Sequence, residues 1–81
     1  MASQWKINYS QEAINYLDDN GQLVAKLFQQ VEGLAKTEGV PVEGAHQDEP
    51  GVIWWDVENH RVIYERRAVE KLVFVAIIKP L

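Results

Sequence analysis

One arginine sits where it could do chemistry. In "WWDVENHRVIYERR", residues 54–67, Arg61 follows a tight polar turn, with Asp56 five residues before it and His60 adjacent. A guanidinium fixed on a strand can hold charge on a phosphoryl oxygen, which raises the question whether Arg61 belongs to a nucleic-acid-cutting site. Its competing role is structural. If Glu58 and Asn59 form a two-residue turn, Val57 faces His60 and Asp56 faces Arg61, and a carboxylate opposite the guanidinium weakens its hold on phosphate.

Other reactive side chains converge less. Glu43, His46, Asp48 and Glu49 in "EGAHQDEPG", with His60, are donors a metal would accept, but no helical or strand spacing brings them together, and no metal or other cofactor is expected. Ser3 and Ser10 are the only serines, and Ser10 is placed to cap a helix. The glycines at 39, 44 and 51 do not form a phosphate-cradling loop before a helix. Three tryptophans without an accompanying basic groove read as core or interface residues, not as base-stacking platforms.

Positioning these residues falls to a small chain. Its 81 residues make one domain, 1–81, with no cysteine for a disulfide or thiolate site, which fits a reducing cytoplasm. The net charge of −4 argues against a broad polyanion-binding surface. The opening "MASQWKINYS" lacks the pattern of a signal peptide, and the apolar run Leu72 to Ile78 is too short to span a bilayer. The expected locale is therefore the cytoplasm, with no membrane partner.

"QWKINYS" alternates weakly and reads as a strand, and Ser10 then caps a short helix, "QEAINYLDD". "DNG" at 19–21 ends that helix through residues that tolerate the left-handed conformation. From Gln22 a second helix carries an apolar stripe at Leu23, Val24, Leu27, Phe28, Val31, Leu34 and Ala35. Residues 37–51, with three glycines and two prolines, read as a surface connection. "VIWWDV", "RVIYER" and "KLVFVAII" are β-branched or aromatic runs separated by turns. The expected fold is α+β: an N-terminal strand, a helical hairpin and a three-stranded antiparallel meander forming one sheet, with the helices packed on one face.

Alternation then sorts the strand residues. Ile53, Trp55, Val62, Tyr64, Val73, Val75 and Ile77 are assigned to the helix-covered face. The register expected across "RAVE" sets Glu65 opposite Leu72 and Ile63 opposite Phe74. Val52, Trp54, Ile63, Leu72, Phe74 and Ile78 fall on the other face, with Asp56 and Arg61 at one end. A surface that apolar implies a partner, a dimer contact or cover from the 37–51 loop.

The element order, together with "KINYSQEAINYL", "HRVIYE" and "LVFVAIIK", resembles the RelE/ParE toxin superfamily over nearly the whole chain. The Arg61-Val62-Ile63-Tyr64 pattern is its best-matching feature. The resemblance implies a bacterial toxin-like protein with an antitoxin-like partner. In the ribosome-dependent nucleases of that superfamily the arginine matching Arg61 stabilises the scissile phosphate, and cations stand at positions that fall here on Val52 and Trp54. The C-terminal acid–base residues of those nucleases have no counterpart in "IIKPL". The expectation is a toxin-like protein that works by protein binding, closer to the ParE-like branch, with Val52, Trp54, Asp56, Ile63, Leu72 and Phe74 as its binding face. The alternatives are a ribosome-dependent mRNA endoribonuclease using Arg61, and a non-enzymatic homodimer joined through the apolar face.

Overall fold

The structure is a computed structural model and describes residues 5–41 and 43–81; Ser3 and the side chain of Asp48 lie outside the described residues. Strand β1 (Lys6–Tyr9) leads into helix α1 (Gln11–Asp19), followed by α2 (Ala25–Glu32) and a 3₁₀ turn over Gly33–Lys36. Strands β2 (Ala45–Glu49), β3 (Val52–Val57), β4 (His60–Arg67) and β5 (Leu72–Pro80) complete a sheet of order β1-β5-β4-β3-β2. Strand β1 runs parallel to β5 and the other neighbours are antiparallel. The α+β class holds, with five strands where four were expected.

The added strand is β2, inside the segment read as a connection. Gly44 and Pro50–Gly51 confine it to five residues, and its pairing with β3 is irregular between His46 and Glu49. Short, charged and irregular, it is the kind of edge that resists unwanted strand pairing.

Helix α1 starts as its sequence dictates. The Ser10 hydroxyl accepts from the Ala13 N–H at 3.1 Å and donates to the Ala76 carbonyl at 2.6 Å, so one side chain both caps the helix and fastens it to β5. Its end differs from the expectation. Asn20 keeps φ at −123°, and its side-chain amide donates to the Tyr16 carbonyl at 2.8 Å, satisfying a terminal acceptor without a left-handed residue. Helix α2 begins at Ala25, not Gln22, and its buried stripe is narrow. Val24, Leu27, Val31 and Leu34 are buried, whereas Leu23 and Phe28 are exposed.

The β3–β4 register is the expected one, from Val57 opposite His60 to Ile53 opposite Tyr64. Glu58 and Asn59 both have positive φ, 51° and 61°, as a two-residue turn matching the strand twist demands. The β4–β5 register corrects the expectation twice. The turn occupies Ala68 to Lys71, whose N–H donates to the Ala68 carbonyl at 3.2 Å, so Glu65 faces Phe74 and Arg67 faces Leu72. Beyond it Ala76 is an extra residue between the Tyr64–Val75 and Ile63–Ile77 pairs. This bulge reverses the alternation, so Ile78 is buried under the helices and Ile77 lies on the opposite face.

The core lies between the helices and one sheet face, around Leu27, Val31, Leu34, Val62, Tyr64, Val73 and Val75. Gly39 shows how closely the connection after α2 approaches it. Its φ is +77°, and an added Cβ would stand 3.1 Å from Val73 Cγ2 and 3.3 Å from Trp5 Cζ3. The carbonyl of Gly39 accepts from the fully buried Tyr64 hydroxyl at 2.6 Å. Burial pushes that phenol above its ordinary range, against the opposing influence of Arg66, so it remains a donor.

Candidate functional site: the outer sheet face

The helices cover one face of the sheet; the register lays out the other as four rows. Nearest the β3–β4 turn are Asp56, Arg61 and Lys79, and the next row carries His46, Trp54, Ile63 and Ile77. A third row holds Glu49, Val52, Glu65, Phe74 and Asn8, and the last holds Arg67, Leu72 and Lys6. An apolar band therefore crosses the middle of the face, with cations at both ends. Val52, Ile63, Leu72, Phe74 and Ile77 are half-buried, and Trp54 is 36% exposed.

The connection does not lie over this band. Its Gly39 end packs on the helix side of the sheet, and its later part extends the sheet edge as β2. Among the described residues the outer face is uncovered.

Arg61 and Asp56 meet as their facing positions require. Nε donates to Oδ1 at 2.8 Å and Nη2 donates to Oδ2 at 3.0 Å, a two-pronged pair with about a third of each side chain exposed. The bonds from Arg61 hold the Asp56 carboxyl below the usual carboxylate range, outweighing partial desolvation, and Asp56 in turn raises Arg61. The guanidinium also lies 5.3 Å from the centre of the Trp54 ring. Both prongs and one flat face of the cation are thus engaged.

Arg67 repeats the arrangement at the far end. It donates to Glu65 at 2.9 Å, lies 3.7 Å from Glu70 and stands 5.9 Å from the Phe74 ring centre. Arg66 faces the helix side, where Nε donates to the Glu38 carbonyl at 2.7 Å and the guanidinium lies 5.0 Å from the Trp5 ring centre. It cannot add to the cations of the outer face.

His60 is buried on the helix side. Its Nδ1–H donates to the Glu58 carbonyl at 2.7 Å, and Nε2 and the Tyr16 hydroxyl are hydrogen-bonded at 2.7 Å. With both nitrogens engaged, His60 stands apart from His46, which is on the other face. No group of three or more His, Asp or Glu side chains among the described residues is arranged to hold a metal. No helix among them is long and apolar enough to cross a membrane.

The structure brings Val52, Trp54, Asp56, Ile63, Leu72 and Phe74 onto one surface, as expected from alternation, and adds Ile77, Lys79, Arg67, Lys6, His46 and Glu49 to it. Sequence reasoning missed Ile77 because a single extra residue in an unbroken apolar run carries no local signal. Lys6 was missed because it reaches the face only through parallel pairing with the last strand.

No family model and no curated protein matches the chain. Among solved structures it is similar to a chain of the RelBE2 toxin–antitoxin complex from Mycobacterium tuberculosis, with a TM-score of 0.74 over 98% of this chain and 100% of that one. At 12% identity the likeness is one of fold. The chain has a RelE-like fold, as the resemblance in its sequence implied.

Proposed function

We propose that this protein is the toxin-like member of a bacterial toxin–antitoxin pair and works by binding protein through its outer sheet face, without a complete ribonuclease site. The observation that carries the reading is the composition of that face. Trp54, Ile63, Phe74 and Ile77 form an apolar band where a phosphate backbone would need free cations, and Arg61 is engaged by Asp56 and Trp54. The fold supports the reading further, since the similar chain was solved in a toxin–antitoxin complex. A partner suited to this surface is an amphipathic helix or strand whose apolar side lies along the band.

The test uses the product of the reading frame adjacent to this one. Co-expressed and purified, the two proteins should form a stoichiometric complex. Ile63→Asp should abolish it while the circular dichroism spectrum stays unchanged. The nuclease alternative predicts arrest of translation and cut mRNA on induction, both lost in Arg61→Ala. That outcome would overturn the proposal.

A further inference from the structure

We propose that Asn20 is a site of spontaneous covalent modification, where attack by the Gly21 backbone nitrogen converts the asparagine that caps α1 into aspartate and isoaspartate. The motif is the "DNG" at 19–21, which the outer sheet face leaves without a role. The other asparagines, at 8, 15 and 59, precede tyrosine or histidine, whose side chains crowd the approach of the following backbone nitrogen. Asn8 and Asn15 also lie within β1 and α1, where regular backbone pairing resists the attack. Asn20 alone is followed by a residue with no side chain.

The surroundings leave the nucleophile free. Gly21 is exposed, and among the described residues its N–H has no hydrogen-bond acceptor. Neighbouring acceptors are occupied: the Tyr16 carbonyl takes the Asn20 N–H at 3.1 Å and its side-chain amide at 2.8 Å, while the Asn20 carbonyl takes the Val24 N–H at 3.1 Å. Backbone geometry does not call for glycine here. Its φ lies outside the left-handed range, and an added Cβ would meet no atom within 4 Å. What glycine adds at this position is access to its nitrogen.

The atoms balance with water as the only co-reactant. The Gly21 nitrogen loses its proton to solvent base and bonds to Asn20 Cγ, closing a cyclic imide; the Cγ–Nδ2 bond breaks, and Nδ2 takes up a proton and leaves as ammonia. Water then opens the ring. Cleavage at Cγ gives aspartate in a normal chain, whereas cleavage at the backbone carbonyl carbon routes the chain through the side chain as isoaspartate.

The cap bond sets the pace of the reaction. With ψ at 27° and the Asn20 amide folded back onto Tyr16, attack follows opening of that bond. Neither product restores it, because a carboxylate has no proton to donate to the Tyr16 carbonyl. The new charge joins Asp18 and Asp19 at the negative end of the α1 dipole. Tyr16 stands in this last turn with its hydroxyl bonded to His60, so the loosening reaches the contact between helix and sheet. The inference needs only the chain itself and does not depend on the partner reading.

Peptide mass mapping of the purified full chain, incubated folded at neutral and mildly alkaline pH, tests it. Asn20 should convert to aspartate and isoaspartate while Asn8, Asn15 and Asn59 persist, faster as hydroxide rises and more slowly than in the free peptide of residues 16–24. Gly21→Ala should slow the conversion about tenfold or more without lowering the melting temperature. Asn20→Asp, one of the two products, should melt about 4–8 °C below the wild type. If it does not fold, Asn20→Ala, which also lacks the donor, takes its place. A folded chain that keeps Asn20 intact while the peptide converts, conversion spread evenly over all the asparagines, a Gly21→Ala chain that converts as fast as the wild type, or a cap variant that melts like the wild type would overturn the inference.

Discussion

Register decides what Arg61 is available to do. The two-residue turn sets Asp56 opposite it, and the resulting two-pronged bond is legible in the sequence because turn length and strand alternation are both local. The partners of Arg66 and His60 are not legible in that way. Glu38 and Tyr16 come from segments that only the tertiary fold brings near. A pH prediction belongs to the Asp56 pair. Because the folded state lowers the Asp56 pKa, its stabilisation is present above the unfolded carboxylate value of about 4 and is lost as pH falls through the lower folded value. Melting temperatures across that acid range should therefore fall less steeply in Asp56→Asn than in the wild type. Equal slopes would mean that the pair contributes nothing to the acid limb.

Among the elements, those specified by local chemistry were readable and those specified by pairing were not. Ser10 capping α1, the Leu27 and Val31 part of the α2 stripe and the β3–β4 hairpin follow from neighbouring residues, whereas the exposure of Leu23 and Phe28 does not. Strand β2 is too polar and too closely bounded by glycine and proline to stand out, and exists because β3 offers it an edge. The bulge at Ala76 is similarly silent, although it decides which of two adjacent isoleucines enters the core. The β3–β4 turn carries a further prediction. Glu58 holds φ at 51°, a left-handed conformation that costs an ordinary side chain more than asparagine. Glu58→Asn should stabilise the protein by about 0.5–1 kcal/mol, read as a higher urea midpoint at constant slope. An unchanged or lower midpoint would mean that the Glu58 side chain compensates elsewhere.

At the scale of the whole molecule, charge is unevenly shared. Lys6, Arg61, Arg67 and Lys79 on the outer face exceed Glu49, Asp56 and Glu65 by one, on a chain whose net charge is −4. The remainder is strongly acidic and repels polyanions, so fluorescence anisotropy should detect no binding to single-stranded RNA at about 0.15 M salt. Tight, salt-dependent binding there would contradict the engaged state of Arg61. Connectivity has a different consequence. Strand β1 has β5 as its sheet neighbour, and the Ser10 hydroxyl joins the start of α1 to a carbonyl 66 residues away. Strand β1 must therefore wait, unpaired, for β5. The helices and the β3–β4 hairpin can form as they emerge, but the sheet closes only once β5 is out of the exit tunnel. A chain truncated before Leu72 would have no neighbour for β1 and no wall of Val73, Val75 and Ile78 beneath its helices.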